Sequence, residues 1–380
     1  MSFPSCPAPD VLGCGKIAPG GQKEPDGESA LRNTSLRQDG HLTYRSFKDS
    51  VVERLASLYP AEEARAIAVR LLTARLNVPD YKIAAEPATV IGADALAALE
   101  ADLARLAEGC PLQYVLGFTE FCGLRIRVAP GCLIPRPETE EMVSLIVDHF
   151  GPPAGCGSGV GTSVSGSGKI ASGGQKEPDG ESTLRNASLR QNLHAPLAAT
   201  PAADDSLRDP ANILDLCTGS GCIAYALADA FPDAQVFACD LSEAALTIAC
   251  KQRVKLPGAR PVFFQADVLQ APPAGLPKFD LIVSNPPYVR ESERVAMRPN
   301  VLDYEPAEAL FVPDDDPLRF YAAIRRWADV LLAPGGEIWL EINEALGPQT
   351  AAIFSDGAVS VQILQDLSGR DRFLRVCTQL

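Results

Sequence analysis

Two adjacent prolines close an apolar run in this chain. Phe279-Asp280-Leu281-Ile282-Val283-Ser284 leads directly into Asn285-Pro286-Pro287-Tyr288. A short run rich in Ile, Leu and Val, bounded by turn chemistry, reads as a buried parallel strand. Proline can neither continue a central strand nor enter a helix interior. Pro286 also holds Asn285 out of the helical region. The strand therefore stops abruptly, with rigid backbone just beyond its carboxyl edge, where ligands bind in open α/β sheets. Asn285 offers an amide carbonyl, and the constrained chain offers a backbone carbonyl beside it. Two neighbouring acceptors suit a planar NH2 group, and Tyr288 offers a flat face to stack on one. Ordinary strand-to-loop punctuation would need only one proline, so the motif gains its meaning from its context.

That context is a series of strand ends. Asn212-Ile213-Leu214-Asp215-Leu216 reads as a strand, followed by Cys217-Thr218-Gly219-Ser220-Gly221-Cys222 and a helix from Ile223. Glycines here permit a tight turn and close approach of a ligand beside the positive end of a helix. The third glycine of a GxGxxG fingerprint is missing, which weakens a nicotinamide dinucleotide reading. Gln235–Asp240 is a second strand. Asp240 suits ribose hydroxyls or, alternatively, the N-cap of a helix over Ser242–Cys250. Pro261–Asp267 is a third strand, whose Asp267 either accepts from an adenine amino group or caps a turn. Four successive strands ending in a glycine loop, Asp, Asp and NPPY point together to a nucleoside site. Downstream, Glu291–Glu308 reads as a polar loop, Leu318–Leu332 as a helix and Gly335–Ile342 as a fifth strand. Val359–Leu364 and Arg372–Val376 read as two closing strands around the turn Asp366–Asp371.

Upstream, residues 44–110 carry helical stripes: Phe47, Val51, Leu55 and Leu58 on one face, Leu96, Leu99, Leu103 and Leu106 on another. Ile67, Leu71 and Leu72 mark a further helix, and Pro60 and Pro79 punctuate. Phe118–Phe121 and Leu124–Val128 flank Cys122-Gly123, a hairpin signal. In Leu133-Ile134-Pro135-Arg136-Pro137-Glu138-Thr139-Glu140, Pro137 suits a helix start and the acids after it favour the positive helix end. Arg136 is readable as a surface arginine or as a fixed cation near the site. The length of 380 residues suits two domains.

A net charge of −14 argues against broad binding to nucleic acid, which rests on many Lys and Arg contacts. Eleven cysteines without a CxxC pair, and three histidines, leave no zinc spacing and point to no metal. Free cysteines without a disulfide framework fit a reducing cytosol. There is no secretory pattern at Met1–Ser5 and no apolar run near the ~20 residues of a membrane helix.

Residues 1–43 and 151–210 are rich in Gly, Ser and Pro, a composition that predicts disorder. They share a repeat. Gly15–Gln38 recurs as Gly168–Gln191, differing only at Pro19/Ser172, Ala30/Thr183 and Thr34/Ala187. The bland reading is a duplicated element tolerated on the surface.

The segment Asp215–Ala224, Asp240, Asp267, Asn285-Pro286-Pro287-Tyr288 and the closing strand pair resemble class I S-adenosylmethionine-dependent methyltransferases. PLQYVLGFTEF, LIPRPETE, and Tyr304-Glu305-Pro306 with Ala309-Leu310-Phe311 resemble the HemK/PrmC family. That family comprises protein-(glutamine N5) methyltransferases acting on the Gly-Gly-Gln motif of peptide chain release factors. The resemblance covers about residues 45–150 and 211–380. It implies an α/β, Rossmann-like sheet, mostly parallel with an antiparallel closing strand, plus a small N-terminal helical domain and a linking β-hairpin. Residues 44–110 would dock the substrate, 111–150 would hold the hairpin and the first catalytic-domain helix, and 211–380 would bind the cofactor.

Cys217, Thr218, Gly219, Ser220 and Gly221 would cradle the amino-acid end of S-adenosylmethionine, Asp240 its ribose, and Asp267 with Val268 its adenine. Asn285, counted with both the cofactor and the catalytic set, and the Pro286 carbonyl would accept from the substrate amide. Pro287 belongs to the same catalytic set, and Tyr288 would pack on the substrate. Release factors are the expected partners, in the cytoplasm, without membrane or direct nucleic-acid binding. The alternatives are an adenine N6 methyltransferase, a ribosomal-protein glutamine methyltransferase and a non-enzymatic scaffold. One departure is clear: the family's Glu-x-Gly-x-x-Gln is here Glu341-Ile342-Asn343-Glu344, with Gln349 farther on. Each repeat also contains the substrate tripeptide, Gly20-Gly21-Gln22 and Gly173-Gly174-Gln175. Chance within a duplicated element is the favoured reading, and a tethered pseudosubstrate the sharper one.

Overall fold

The computed structural model describes residues 42–151 and 209–378. Both repeats, with most of the two Gly/Ser-rich segments, lie outside the described residues. Among those described, the chain divides into two compact units. One runs to Phe118 and adds Arg298–Tyr304, and the other holds the remainder.

The first unit is helical: α1 (Tyr44–Arg54), α2 (Ala61–Leu76), α3 (Asp80–Ala85), α4 (Ala93–Ala107) and α5 (Leu112–Leu116). Thr43 and Ser46 form a reciprocal capping box that starts α1. Phe47, Val51, Leu55, Leu71, Leu72, Leu99, Leu103 and Leu106 are fully buried, as their spacing predicts. Leu58 is a correction. It is 43% exposed, because α1 stops at Arg54 and the helical period no longer carries its side chain inward. Leu96 is only half-buried. The Arg75 guanidinium on α2 grips the buried Asp102 carboxylate on α4 with two hydrogen bonds, the arrangement that best satisfies a planar cation.

The second unit, from Thr119, begins within the hairpin β1 (Phe118–Phe121) and β2 (Leu124–Arg127). Both turn residues, Cys122 and Gly123, have positive φ (48° and 72°), the backbone that matches strand twist in a two-residue hairpin. α6 (Pro137–Phe150) follows, with Pro137 in its first turn. Next come β3 (Asn212–Leu216), α7 (Cys222–Ala230), β4 (Gln235–Asp240), α8 (Glu243–Cys250), β5 (Val262–Gln265), β6 (Phe279–Ser284) and β7 (Val289–Arg290). The stretch Glu291–Glu308, expected as a polar loop, is partly ordered. It holds a 3-10 helix at Glu291–Ala296, α9 (Pro299–Leu302) and a 3-10 turn at Ala307–Ala309. α9 packs with the helical unit, where Arg298 pairs with Glu63. The chain ends with β8 (Phe311–Val312), α10 (Arg319–Leu331), β9 (Leu332–Glu341), α11 (Gly347–Ile353), β10 (Ala358–Gln365) and β11 (Asp371–Thr378).

Seven strands form one sheet in the order β10-β11-β9-β6-β3-β4-β5. β9, β6, β3, β4 and β5 pair in parallel, and β11 runs antiparallel to both β9 and β10. This is the class I methyltransferase sheet that the sequence resemblance implied. Alternate side chains serve opposite faces. Ile213, Leu281, Val283 and Trp339 pack with α6 and α7, while Leu214, Leu216, Ile282 and Leu340 pack with α10. Strand order reverses at β3, with β4 and β5 to one side and β6 and β9 to the other. The crevice beyond the carboxyl ends of β3 and β6 is the switch point where such sheets bind ligands. The glycine loop leaves β3 there, and Asn285-Pro286-Pro287-Tyr288 leaves β6 beside it.

Candidate active site

The glycine loop is shaped by three residues with positive φ: Cys217 (59°), Gly219 (56°) and Gly221 (81°). The two glycines do different jobs. A Cβ on Gly219 would meet nothing within 4 Å, so the backbone there borders open space. A Cβ on Gly221 would come 3.2 Å from Ala249, Phe263 and Tyr225, so this glycine lets α7 pack close to the sheet. The loop is tied down from β4. Thr218 N–H donates to the Cys239 carbonyl at 2.9 Å, and Gly219 N–H donates to Asp240 Oδ2 at 2.8 Å. Asp240 Oδ1 accepts Ser242 N–H at 2.9 Å, and Ser242 Oγ caps α8 through Ala245 N–H. The N-cap is therefore Ser242 and not Asp240. Burial raises the Asp240 carboxyl above its ordinary range, against the pull of these N–H donors. The Leu241 N–H acts on the same carboxylate, and lone-pair capacity remains for a ribose hydroxyl.

Behind the loop lies Asp215, fully buried on β3. Its Oδ2 accepts from the Thr218 hydroxyl and from Ala224 N–H, while Oδ1 has no partner. Burial pushes this carboxyl up to about 7 despite those two donors. Asp267 sits two residues beyond β5, which ends at Gln265. The expected strand to Asp267 is thus shorter than read, because Asp267 folds into a turn instead. Its Oδ1 accepts Leu269 N–H at 2.9 Å. Val268 beside it is buried.

Gln252 holds the loop from below. Its Oε1 accepts Arg127 N–H at 2.7 Å, and its Nε2 reaches the carbonyls of Arg127 and Ser220, both at 2.9 Å. Gln252 is 3% exposed, so a leucine there removes both backbone partners of Arg127 and leaves the buried Ser220 carbonyl without this donor. Gln252→Leu is expected to cost about 1–3 kcal/mol of unfolding free energy, measured by urea titration.

The NPPY segment is held by a chain of hydroxyl and carboxylate groups. Asn285 Nδ2 donates to Thr139 Oγ1 at 2.9 Å, Thr139 Oγ1 donates to Glu341 Oε2 at 2.7 Å, and the Tyr288 hydroxyl donates to Glu341 Oε1 at 2.7 Å. Thr139 lies in the first turn of α6 and Glu341 ends β9, and both are buried. Burial, then the Glu341 carboxylate, raises the Tyr288 phenol well above its usual range, so it stays neutral and donates. Burial also raises Glu341, while Thr139, Tyr288 and Arg372 oppose the rise. Ser284 Oγ donates to the Leu216 carbonyl at 2.7 Å, locking the β6 end to the β3 end. Pro286 and Pro287 are buried, whereas Asn285 is half-exposed. Neither Asn285 Oδ1 nor the Pro286 carbonyl accepts a hydrogen bond from any described residue, and both remain available to a donor.

Comparison with known proteins agrees with this geometry. Residues 49–117 match the PrmC N-terminal domain, and residues 203–302 match the Methyltransferase small domain. A release factor glutamine methyltransferase of Bacteroides thetaiotaomicron is 36% identical over 85% of this chain and 95% of its own length. One from Flavobacterium psychrophilum is 33% identical over 88% of this chain and 99% of its own. One from Geobacter sulfurreducens is 32% identical over 82% and 88%. The chain belongs to the release factor glutamine methyltransferase family.

Within this member of the release factor glutamine methyltransferase family, Arg136 finds a definite place. Its guanidinium pairs with Glu305 Oε1 at 2.7 Å, and Glu305 Oε2 accepts Ile134 N–H at 3.0 Å. Glu305 is buried, so the pair joins LIPRP to Tyr304-Glu305-Pro306. Asn343 stands where the family pattern has glycine. Its Nδ2 donates to the Tyr288 carbonyl (3.2 Å) and to Glu293 (2.9 Å), and its Oδ1 caps a 3-10 turn. Sequence reasoning gave no role to Thr139, Glu341, Gln252 or Asn343. Of these only Glu341, an acid ending an apolar strand as Asp240 does, carried a readable signal. Among the described residues no helix is long and apolar enough to cross a membrane, and no cluster of His, Cys, Asp or Glu is placed for a metal.

Proposed function

We propose that this chain transfers a methyl group from S-adenosylmethionine to the side-chain amide nitrogen of the glutamine in the Gly-Gly-Gln motif of peptide chain release factors. The observation that carries this reading is the pair of unengaged neutral acceptors, Asn285 Oδ1 and the Pro286 carbonyl, beside the glycine loop at the switch point. A primary amide presents two N–H groups in one plane, which two such acceptors satisfy. Family membership directs the choice of amide from nucleobase to glutamine.

The residues fit the methyl donor. Gly219 borders open space at the positive end of α7, suited to the donor's amino-acid end. Asp240 has lone pairs for the ribose, and Asp267 with Val268 would flank the adenine. When bound, S-adenosylmethionine supplies an electrophilic methyl group on a sulfonium centre. An amide nitrogen is a poor nucleophile, because its lone pair is delocalised into the carbonyl. Asn285 Oδ1 and the Pro286 carbonyl would hold both N–H groups, aim the nitrogen and stabilise the positive charge that develops on it. Tyr288 would flank the amide on a ring anchored through Glu341. Residues 44–110 form the surface we assign to release-factor docking, and the reaction is placed in the cytoplasm. The net charge of −14 supports a protein substrate over nucleic acid.

The test is label transfer from methyl-labelled S-adenosylmethionine to a release factor, a Gly-Gly-Ala version of it, DNA and RNA. Label is expected on the intact release factor alone. Label on adenine in nucleic acid would overturn the reading.

A further inference from the structure

We propose that Thr139 and Glu341 are positioning residues that fix which end of the Asn285 amide faces the substrate. This inference deepens the proposed glutamine methylation and rests on it. An asparagine amide is nearly symmetric in shape, so packing alone does not choose between its oxygen and its nitrogen, and the hydrogen-bond network must choose. Thr139 has one proton to give. Glu341 receives the Tyr288 hydroxyl on Oε1 and the Thr139 hydroxyl on Oε2, the latter at 2.7 Å. The threonine proton therefore points to Glu341, and its lone pair receives Asn285 Nδ2 at 2.9 Å. A flipped amide would set Asn285 Oδ1 against a hydroxyl oxygen with no proton left. It would also present an NH2 group to the substrate NH2, donor facing donor.

The three residues come from α6, from the first position after β6 and from the end of β9, and the two that act through Asn285 are closed to water. Thr139 is 2% exposed and Glu341 1%. Water therefore cannot replace the threonine proton or rescue a flipped amide. The second Glu341 oxygen receives the Tyr288 hydroxyl, so one buried carboxylate aligns both ends of the NPPY motif.

Three variants of the full chain test the proposal, with kcat and KM measured on a release factor, S-adenosylmethionine affinity measured by calorimetry, and thermal unfolding recorded for each. Thr139→Val keeps the shape and removes the hydroxyl. Thr139→Ser keeps the hydroxyl. Glu341→Gln keeps the shape and supplies an N–H that turns the threonine proton back toward Asn285. Thr139→Val and Glu341→Gln are expected to lose about 10- to 100-fold in kcat, the usual weight of outer partners that orient a reacting group. The KM for release factor and the cofactor affinity stay within about threefold, because binding is uniform and only the reacting geometry changes. Thr139→Ser retains kcat within about threefold by the same argument. Should Thr139→Val fail to fold, Glu341→Gln and Thr139→Ser still decide. A fully active Glu341→Gln, or a Thr139→Ser as impaired as Glu341→Gln, overturns the relay. A wild-type chain that binds the cofactor yet leaves release factor unlabelled overturns the underlying function instead, which keeps the two failures distinct.

Discussion

Replacing Asn285 with alanine lowers kcat for glutamine methylation by about 10²- to 10³-fold, the cost of removing one preorganised partner of transition-state charge. The side chain is held by Thr139 from a buried position and offers an acceptor that no described residue uses. That acceptor meets its strongest partner only when the amide nitrogen becomes positive, so kcat and kcat/KM should fall together. Alanine also strands the Thr139 lone pair, although Thr139 still donates to Glu341 and the fold keeps its anchor. Single-turnover methylation at saturating cofactor separates this outcome from weakened binding. A variant that loses only KM would assign Asn285 to docking.

Arg375→Met should destabilise the folded protein by about 3–5 kcal/mol, because it strands a buried carboxylate. Glu337 is 5% exposed on β9 and is held from every side. Arg375 Nη2 donates to Oε1 at 2.9 Å and Nε to Oε2 at 3.0 Å, Trp339 Nε1 donates to Oε2 at 3.0 Å, and His149 Nε2 lies 3.0 Å from Oε1. Burial alone would raise the Glu337 carboxyl, but His149 and Arg375 outweigh it and hold the group down at about 2. A carboxyl with a folded value below its unfolded one stabilises the protein above its unfolded value, and the gain is lost as pH falls. The contribution of about 3 kcal/mol is thus complete above pH ~4.5 and disappears toward pH ~2. Urea unfolding of wild type at pH 7, 4.5 and 3 should show this loss, and Glu337→Gln should flatten it. Equal wild-type stability at pH 7 and 3 would refute the assignment.

The strand ends were legible because each is a short apolar run stopped by a residue that cannot continue it. Pro286 halts β6, the Gly219–Gly221 loop halts β3, and Asp240 closes β4. The hairpin at Cys122-Gly123 and the start of α6 at Pro137 followed from local backbone preference for the same reason. Leu58 was misplaced because the helical period was carried past the point where α1 ends. The Glu291–Glu308 stretch read as loop because its ordered pieces, the 3-10 helix Glu291–Ala296, α9 and the 3-10 turn Ala307–Ala309, are too short to show a helical period. Thr139 stands within LIPRPETE yet carried no readable role. A hydroxyl in a first helical turn is ordinary until β6 and β9 are known to be neighbours. Gln252 binds Arg127 across a long stretch of sequence, and no spacing rule encodes such a contact.

The central claim is that the NPPY site methylates a glutamine amide nitrogen. The most direct measurement is fragment mass spectrometry of the Gly-Gly-Gln peptide recovered from release factor after incubation with enzyme and S-adenosylmethionine. A single added methyl on the glutamine side chain, absent with Asn285→Ala, is the predicted result. A methyl on any other residue, or on glutamine in equal yield with Asn285→Ala, would contradict it.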